Sequence, residues 1–265
     1  MPSLSRRQLL GGTIIAAGSF AAGRIVPPLT PAPASDENPW QYIPVDPREA
    51  AKLAYDIYPN GYCMYTTFRA VVESVAMAQK EVNPAASLRM LDFPFDMMKV
   101  GAAGVAGEGS LCGAVAGSSQ AIALYVPDTD VNNAMVQELF QYYETSALPS
   151  YQPEKNEFPN MASARSGSPL CHLSITAWCK ASGEKISSPI RFDRCRRLSA
   201  DMVIKTITLL NQHHQNPKDA FAPLMEPTKG CVDCHSIGGP AKETIVKMNC
   251  ASCHDVPTGH PVKVK

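Results

Sequence analysis

The clearest periodicity in the chain lies late, where Val203, Ile207, Leu210 and His214 fall at i, i+4, i+7 and i+11. That spacing predicts an amphipathic helix over 191–215. Asn216-Pro217 ends it, because the residue before a proline is pushed away from helical geometry. Phe68, Val71, Val72, Val75 and Ala76 share a face in the same way and predict a helix from Cys63 to about Lys80, closed by Asn83-Pro84. Pro47-Arg48-Glu49 opens a short helix to about Ile57, with proline in its first turn, and Pro59-Asn60-Gly61 is a turn. A helix with small packing residues is expected from near Ser110 to Tyr125. Another, capped by Asp128 or Asp130, runs to about Glu144 with Val131, Met135, Leu139 and Tyr142 inward. Leu170 to Lys180 is a further helical stretch, and Pro149 to Ser168 reads as a polar loop. No run alternates as a strand would, and from Lys218 onward no period survives. The fold class is all-α, a helical body followed by an irregular C-terminal module.

Residues 1–34 do not belong to that fold. They hold Arg6, Arg7 and Arg24 and no acid, and Ser5-Arg6-Arg7-Gln8-Leu9-Leu10 precedes an apolar Gly/Ala-rich run. Ala32-Pro33-Ala34 supplies small residues for cleavage before Ser35. The pattern is that of a twin-arginine export signal, which addresses the chain to the periplasm already folded. An uncleaved membrane anchor is the alternative, since Leu9 to Val26 is just long enough to span a bilayer. The organisation expected is therefore signal 1–34, helical Cys-rich body 35–217 and C-terminal module 218–265.

Charge narrows the function. The chain has 24 Lys and Arg against 24 Asp and Glu among 265 residues, with 45% hydrophobic and 18% charged. This excludes a disordered chain and argues against nucleic-acid binding, which needs a basic excess. With the three signal arginines removed, the balance of the remainder turns mildly acidic.

Nine cysteines carry the chemistry. Cys231-Val232-Asp233-Cys234-His235 and Cys250-Ala251-Ser252-Cys253-His254 are both C-x-x-C-H, the attachment pattern of c-type haem. Two thiols three positions apart can add to the two vinyl groups of one porphyrin, and the adjacent imidazole becomes the proximal iron ligand. His235 and His254 take that role. A zinc site of two C-x-x-C pairs is the alternative, but it would not require His after each second Cys. The motifs are separated only by Ser236 to Asn249, so the two haems must be neighbours. The segment is too poor in large apolar residues to form a core of its own, and the porphyrins are expected to supply the missing mass. Distal ligands are sought at His213 and His214, which project about 100° apart at the end of a helix, and at His260. Met225 and Met248 are alternatives, and His172 lies beside Cys171.

Five cysteines are left over: Cys63, Cys112, Cys171, Cys179 and Cys195. Thiolates converging from separated elements suit an iron–sulfur cluster, with one of the five to spare. A Cys171–Cys179 disulfide with buried thiols is the competing reading.

The chain resembles the split-Soret cytochrome c family, which joins a GCAxxG-type redox domain to two C-terminal haem motifs. On the redox side the resemblance rests on Gly107-Glu108-Gly109-Ser110-Leu111-Cys112-Gly113-Ala114-Val115-Ala116-Gly117 with Cys63, Cys171 and Cys195. Here Cys112 precedes Gly113 instead of following a glycine, and Cys179 is additional. The resemblance implies a homodimer with its haems gathered at one end and stacked closely within each chain. It also implies bis-His irons with one ligand donated across the interface, and a 2Fe–2S centre per chain. The function expected is electron transfer between redox partner proteins. A haem oxidoreductase acting on a small molecule such as nitrite, hydroxylamine or oxygen is the rival, and a redox sensor a third class. The sequence shows no nucleophilic triad and no paired acid and base.

Overall fold

The computed structural model describes residues 40–226, 228–252 and 254. The export signal, Cys253 and His260 lie outside the described residues.

The arm Trp40 to Val45 has no regular structure and is latched to the body by two side chains, one of them Gln79, which donates to the Gln41 carbonyl (2.8 Å). Asn211 accepts from the Tyr42 hydroxyl (2.8 Å) and donates to the Val45 carbonyl (2.9 Å). Asp46 then caps α1 (Pro47–Ile57), accepting from the amides of Arg48 and Glu49, with Pro47 in the first turn. A single 3-10 turn, Tyr58–Asn60, leads into α2 (Tyr62–Gln79). This helix is buried on nearly all sides, the predicted face Phe68, Val71, Val72, Val75 and Ala76 included. At about 1.5–3 kcal/mol for each large apolar side chain taken from water, such a helix anchors the core.

Asn83-Pro84 does not simply close α2. Asn83 accepts from the Ala86 amide and caps a further helix, α3 (Pro84–Leu91), with Pro84 in its first turn. A 3-10 segment, Phe95–Gly101, comes next. The following helix, α4 (Gly113–Tyr125), begins three residues later than expected, because 103–109 is occupied by a left-handed loop. Asp128 caps α5 (Thr129–Thr145), whose inward residues are Met135, Leu139 and Tyr143, with Tyr142 only half-buried. The last two helices of the body are α6 (Cys171–Ser182) and α7 (Pro189–Gln215). α7 packs along α1, and α2 packs along α4. Val203, Ile207 and Leu210 are buried as predicted, whereas His214 is exposed.

Pro149 to Ser168 is irregular but tied down. Leu148 and Ala164 exchange backbone hydrogen bonds of 3.1 and 2.9 Å, and the Trp178 indole donates to the Ala162 carbonyl at 2.8 Å. Asp201 accepts from both the amide and the hydroxyl of Ser150. Beyond α7 the character changes. The only α-helix there among the described residues is α8 (Thr228–His235), and no described residue after Leu210 is a buried hydrophobic. The described chain is mostly helical, with isolated β-bridges and no strand. Among the described residues no helix is long and apolar enough to cross a membrane.

Candidate metal and haem site

Four of the five leftover cysteines line one cavity of about 320 Å³: Cys63, Cys112, Cys171 and Cys195. Each comes from a different place in the fold. Cys63 sits in the first turn of α2, Cys112 precedes α4, Cys171 starts α6 and Cys195 lies in α7. An isolated bridge between Leu111 and Leu170 sets the second and third side by side. The Cys112 amide donates to Pro169 (2.9 Å) and the Cys171 amide to Ser110 (2.7 Å).

The Gly-rich stretch makes this approach possible. Ala103, Gly104, Val105, Ala106, Gly107 and Gly109 all have positive φ, a region that costs most residues strain. The loop directs the Ala103 amide at the Cys63 sulfur. At Gly113 a side chain is excluded: a Cβ there would stand 2.4 Å from the Gly101 carbonyl and 2.6 Å from Cys63 Sγ. The glycine after Cys112 is therefore required, although it departs from the order of the name-giving motif.

The thiols are not equivalent. Burial pushes Cys63 up to about 12. Cys112 is pulled down to about 6, first by hydrogen bonding with the Cys171 thiol; Cys171 moves up in consequence, so that the pair favours a thiolate at Cys112. Arg194 and Tyr143 reach the same cavity. Arg194 Nη1 lies 3.8 Å from Cys195 Sγ, while its Nε and the Tyr143 hydroxyl are buried with no hydrogen-bond partner. Sequence reasoning did not single out either residue. The signal for Arg194 was its place beside Cys195 on a helix with no acid three or four residues away.

Cys179 is not among the lining residues. It lies eight positions after Cys171 on α6, about 12 Å along the axis at 1.5 Å per residue. That also exceeds disulfide reach, and none of the described cysteines is bonded to another. Among the described residues no three His, Cys, Asp or Glu side chains close on a single-ion position; the four sulfurs surround a space instead. Sulfur donors, a neighbouring cation and room between them fit a group larger than one ion.

At the other motifs, α8 carries Cys231, Cys234 and His235 within little more than a turn. His235 Nδ1 pairs with Glu243 Oε2 at 2.6 Å, the way a ligating histidine is held through its non-ligating nitrogen. The 3-10 turn Cys250–Ser252 carries the start of the second motif, and the His254 amide donates back to the Cys250 carbonyl at 2.9 Å. Cys250 is raised, first by burial and then by Cys231. Between α5 and the segments flanking both motifs lies a cavity of about 440 Å³, with Val136, Phe140, Leu224, Met225 and Met248 among its walls. His213 and His214 diverge as predicted: the His213 ring is 6.3 Å from Phe221 and that of His214 is 5.9 Å from Tyr42. His213 Nδ1 is buried without a partner. His172, exposed, sits on α6 beside Cys171.

Residues 63–209 match the family described as "Putative redox-active protein (C_GCAxxG_C_C)". Over 226 residues the chain is 31% identical to the split-Soret cytochrome c of Desulfovibrio desulfuricans (strain ATCC 27774 / DSM 6949 / MB), covering 81% of this chain and 77% of that protein. This chain belongs to the split-Soret cytochrome c family. A solved structure of the Desulfovibrio desulfuricans ATCC 27774 split-Soret cytochrome c, in which a novel iron centre was described, superimposes with a TM-score of 0.72 at 28% identity. The match covers 85% of this chain and 93% of that one. Within the family match fall Cys63, Cys112, Cys171, Cys179 and Cys195; both C-x-x-C-H motifs lie beyond it.

Proposed function

We propose that the chain is an exported electron-transfer protein holding two haem c groups and one iron–sulfur cluster. Cys231, Cys234 and His235 hold one haem; Cys250, Cys253 and His254 hold the other. Cys63, Cys112, Cys171 and Cys195 hold the cluster, a 2Fe–2S centre, and Cys179 is the spare thiol. The observation that carries this reading is the convergence of four sulfurs from distant parts of the sequence on one cavity, in a chain that also has two haem motifs.

These groups supply reversible one-electron chemistry; the protein supplies position and environment. Glu243 orients the His235 ring, and the apolar wall formed by Val136, Phe140 and Leu224 offers a porphyrin the burial that the C-terminal segment lacks. His213, with a buried unpartnered nitrogen, is the foremost distal ligand, ahead of His214 and His260. His235 and His254, together with distal histidines, would hold the haem irons without an open position for substrate, and the groups would supply electron exchange with redox partner proteins. Export by the twin-arginine route to the periplasm, and a homodimer sharing a haem ligand across its interface, complete the proposal.

Spectra and composition test it together. Protein isolated without oxygen should contain iron beyond the haem iron, with matching acid-labile sulfide. Its ferric haems should be low-spin and the reduced form indifferent to CO. Iron at the haem level alone removes the cluster, and a high-spin or CO-sensitive haem replaces the carrier with an enzyme.

A further inference from the structure

Two arginines one turn apart on α7 are both buried, and they are treated differently. Arg197, fully buried, pairs with Asp193 at 2.6 Å and donates to Gln152 and Asn156. Arg194, 2% exposed, has no carboxylate within ion-pairing distance among the described residues. Its Nη2 donates to the Ser174 hydroxyl at 2.8 Å, its Nη1 lies 3.8 Å from Cys195 Sγ, and its Nε has no partner. A buried guanidinium without a counter-charge costs several kcal/mol. The groups facing it are the four cysteines and the phenol of Tyr143; the Asp201 carboxylate, engaged by the amide and hydroxyl of Ser150, acts on it only from beyond ion-pairing distance.

We propose that Arg194 is the built-in counter-cation of the iron–sulfur site, a positioning residue that holds its thiolates together and raises its reduction potential. The inference rests on the cluster reading given above. A thiolate-ligated cluster is anionic, and accepting one electron makes it more so without forming or breaking a bond. In a water-poor cavity that added charge is strongly felt. A fixed positive charge against Cys195 stabilises the reduced form more than the oxidised one. Tyr143, on α5, sets a neutral phenol beside Cys112. Arg191, the other basic residue on the cavity wall, donates its Nε to the Ile186 carbonyl and is only half-buried.

The test is anaerobic potentiometry of the intact holoprotein, with dithionite as reductant and the cluster read by electron paramagnetic resonance. Arg194→Gln should shift the cluster midpoint to a more negative potential, leaving the haem midpoints in place, and Arg194→Lys should restore much of the loss. Tyr143→Phe and Arg191→Gln should give smaller shifts. If Arg194→Gln loses the cluster while Arg194→Lys keeps it, with unchanged helicity in both, the holding role is supported. A wild-type midpoint in Arg194→Gln with full iron and sulfide overturns this inference alone. Iron at the haem level in the wild type overturns the cluster reading and this inference with it. A shift in Arg191→Gln equal to that in Arg194→Gln also overturns it, since contact with Cys195 would then be irrelevant.

Discussion

Leu139 and Ile245 are aliphatic side chains of the same volume in one chain, yet the first is fully buried and the second 77% exposed. The difference extends to the regions around them. From the latched arm to the end of α7, each helix lays a set of apolar residues into a common core, and even the long loop after α5 is held by directed hydrogen bonds. From 218 to 254 the described chain is held mainly by polar contacts, with Phe221 its apolar contact with the core. Glu138 accepts from the Ala222 amide, Gln141 is bonded to Pro223 and Met225, and Asn249 donates to Gly167. Met225, Ile237, Ile245 and Val246 are left in water. The body is stabilised by its own side chains; the C-terminal segment has attachment points and a cavity where its apolar mass should be.

The sharpest way to break this comparison is to remove the mass. Replacing Cys231 and Cys234 by serine should abolish covalent haem at that motif. Limited proteolysis should then cut the segment after 217 readily while the body stays resistant, with far-UV dichroism nearly unchanged. Loss of the whole fold instead would show that the two regions are not separately stabilised.

A matched pair of truncations measures the same contrast. Leu139→Ala should cost about 2–5 kcal/mol in urea unfolding, as buried leucines do when a cavity is left. Ile245→Ala should stay within about 0.5 kcal/mol in the haem-free chain, as exposed substitutions do. A large effect in the haem-bearing protein alone would place Ile245 against a porphyrin.

A pH-dependent effect lies at the border. Glu144 lines the cavity between the regions, and burial raises its carboxyl from 4.5 to about 7. Between those values the folded chain keeps a proton that the unfolded chain has released. Its contribution to stability is therefore full at acid pH and is lost as pH rises to about 7. Unfolding measured from pH 4.5 to 8 should show a decline that Glu144→Gln flattens, worth on the order of 3 kcal/mol at about 1.4 kcal/mol per pKa unit. An identical slope in the variant would show that Glu144 meets solvent as freely as the C-terminal segment does.

Much of the body is legible in the sequence because its signals are local. Asp46-Pro47 and Asp128 are cap chemistry, and Phe68 to Ala76 is a helical face. Asn83-Pro84 reads as a stop although it starts a helix, because the same two residue types serve both ends; only the helical run Ala85 to Leu91 behind them distinguishes the two. Tyr143, and not Tyr142, faces inward, since the helix begins and rotates according to its partners. The loop at 149–168 shows no order in its composition because its partners, Trp178, Arg197 and Asp201, lie far along the chain.

The same division separates the two chemical sites. A haem motif is complete within five consecutive residues, because thiols and imidazole must meet one porphyrin, so the sequence alone determined Cys231, Cys234 and His235 and their counterparts as candidates. The cysteine cavity has no such local form. That Cys63, Cys112, Cys171 and Cys195 share it while Cys179 stands two helical turns away, and that Arg194 rather than Arg197 faces them, was decided only by how four helices pack. Spacing along a chain constrains neighbours within a turn; charge and burial act across space, where only the tertiary structure sets the distances.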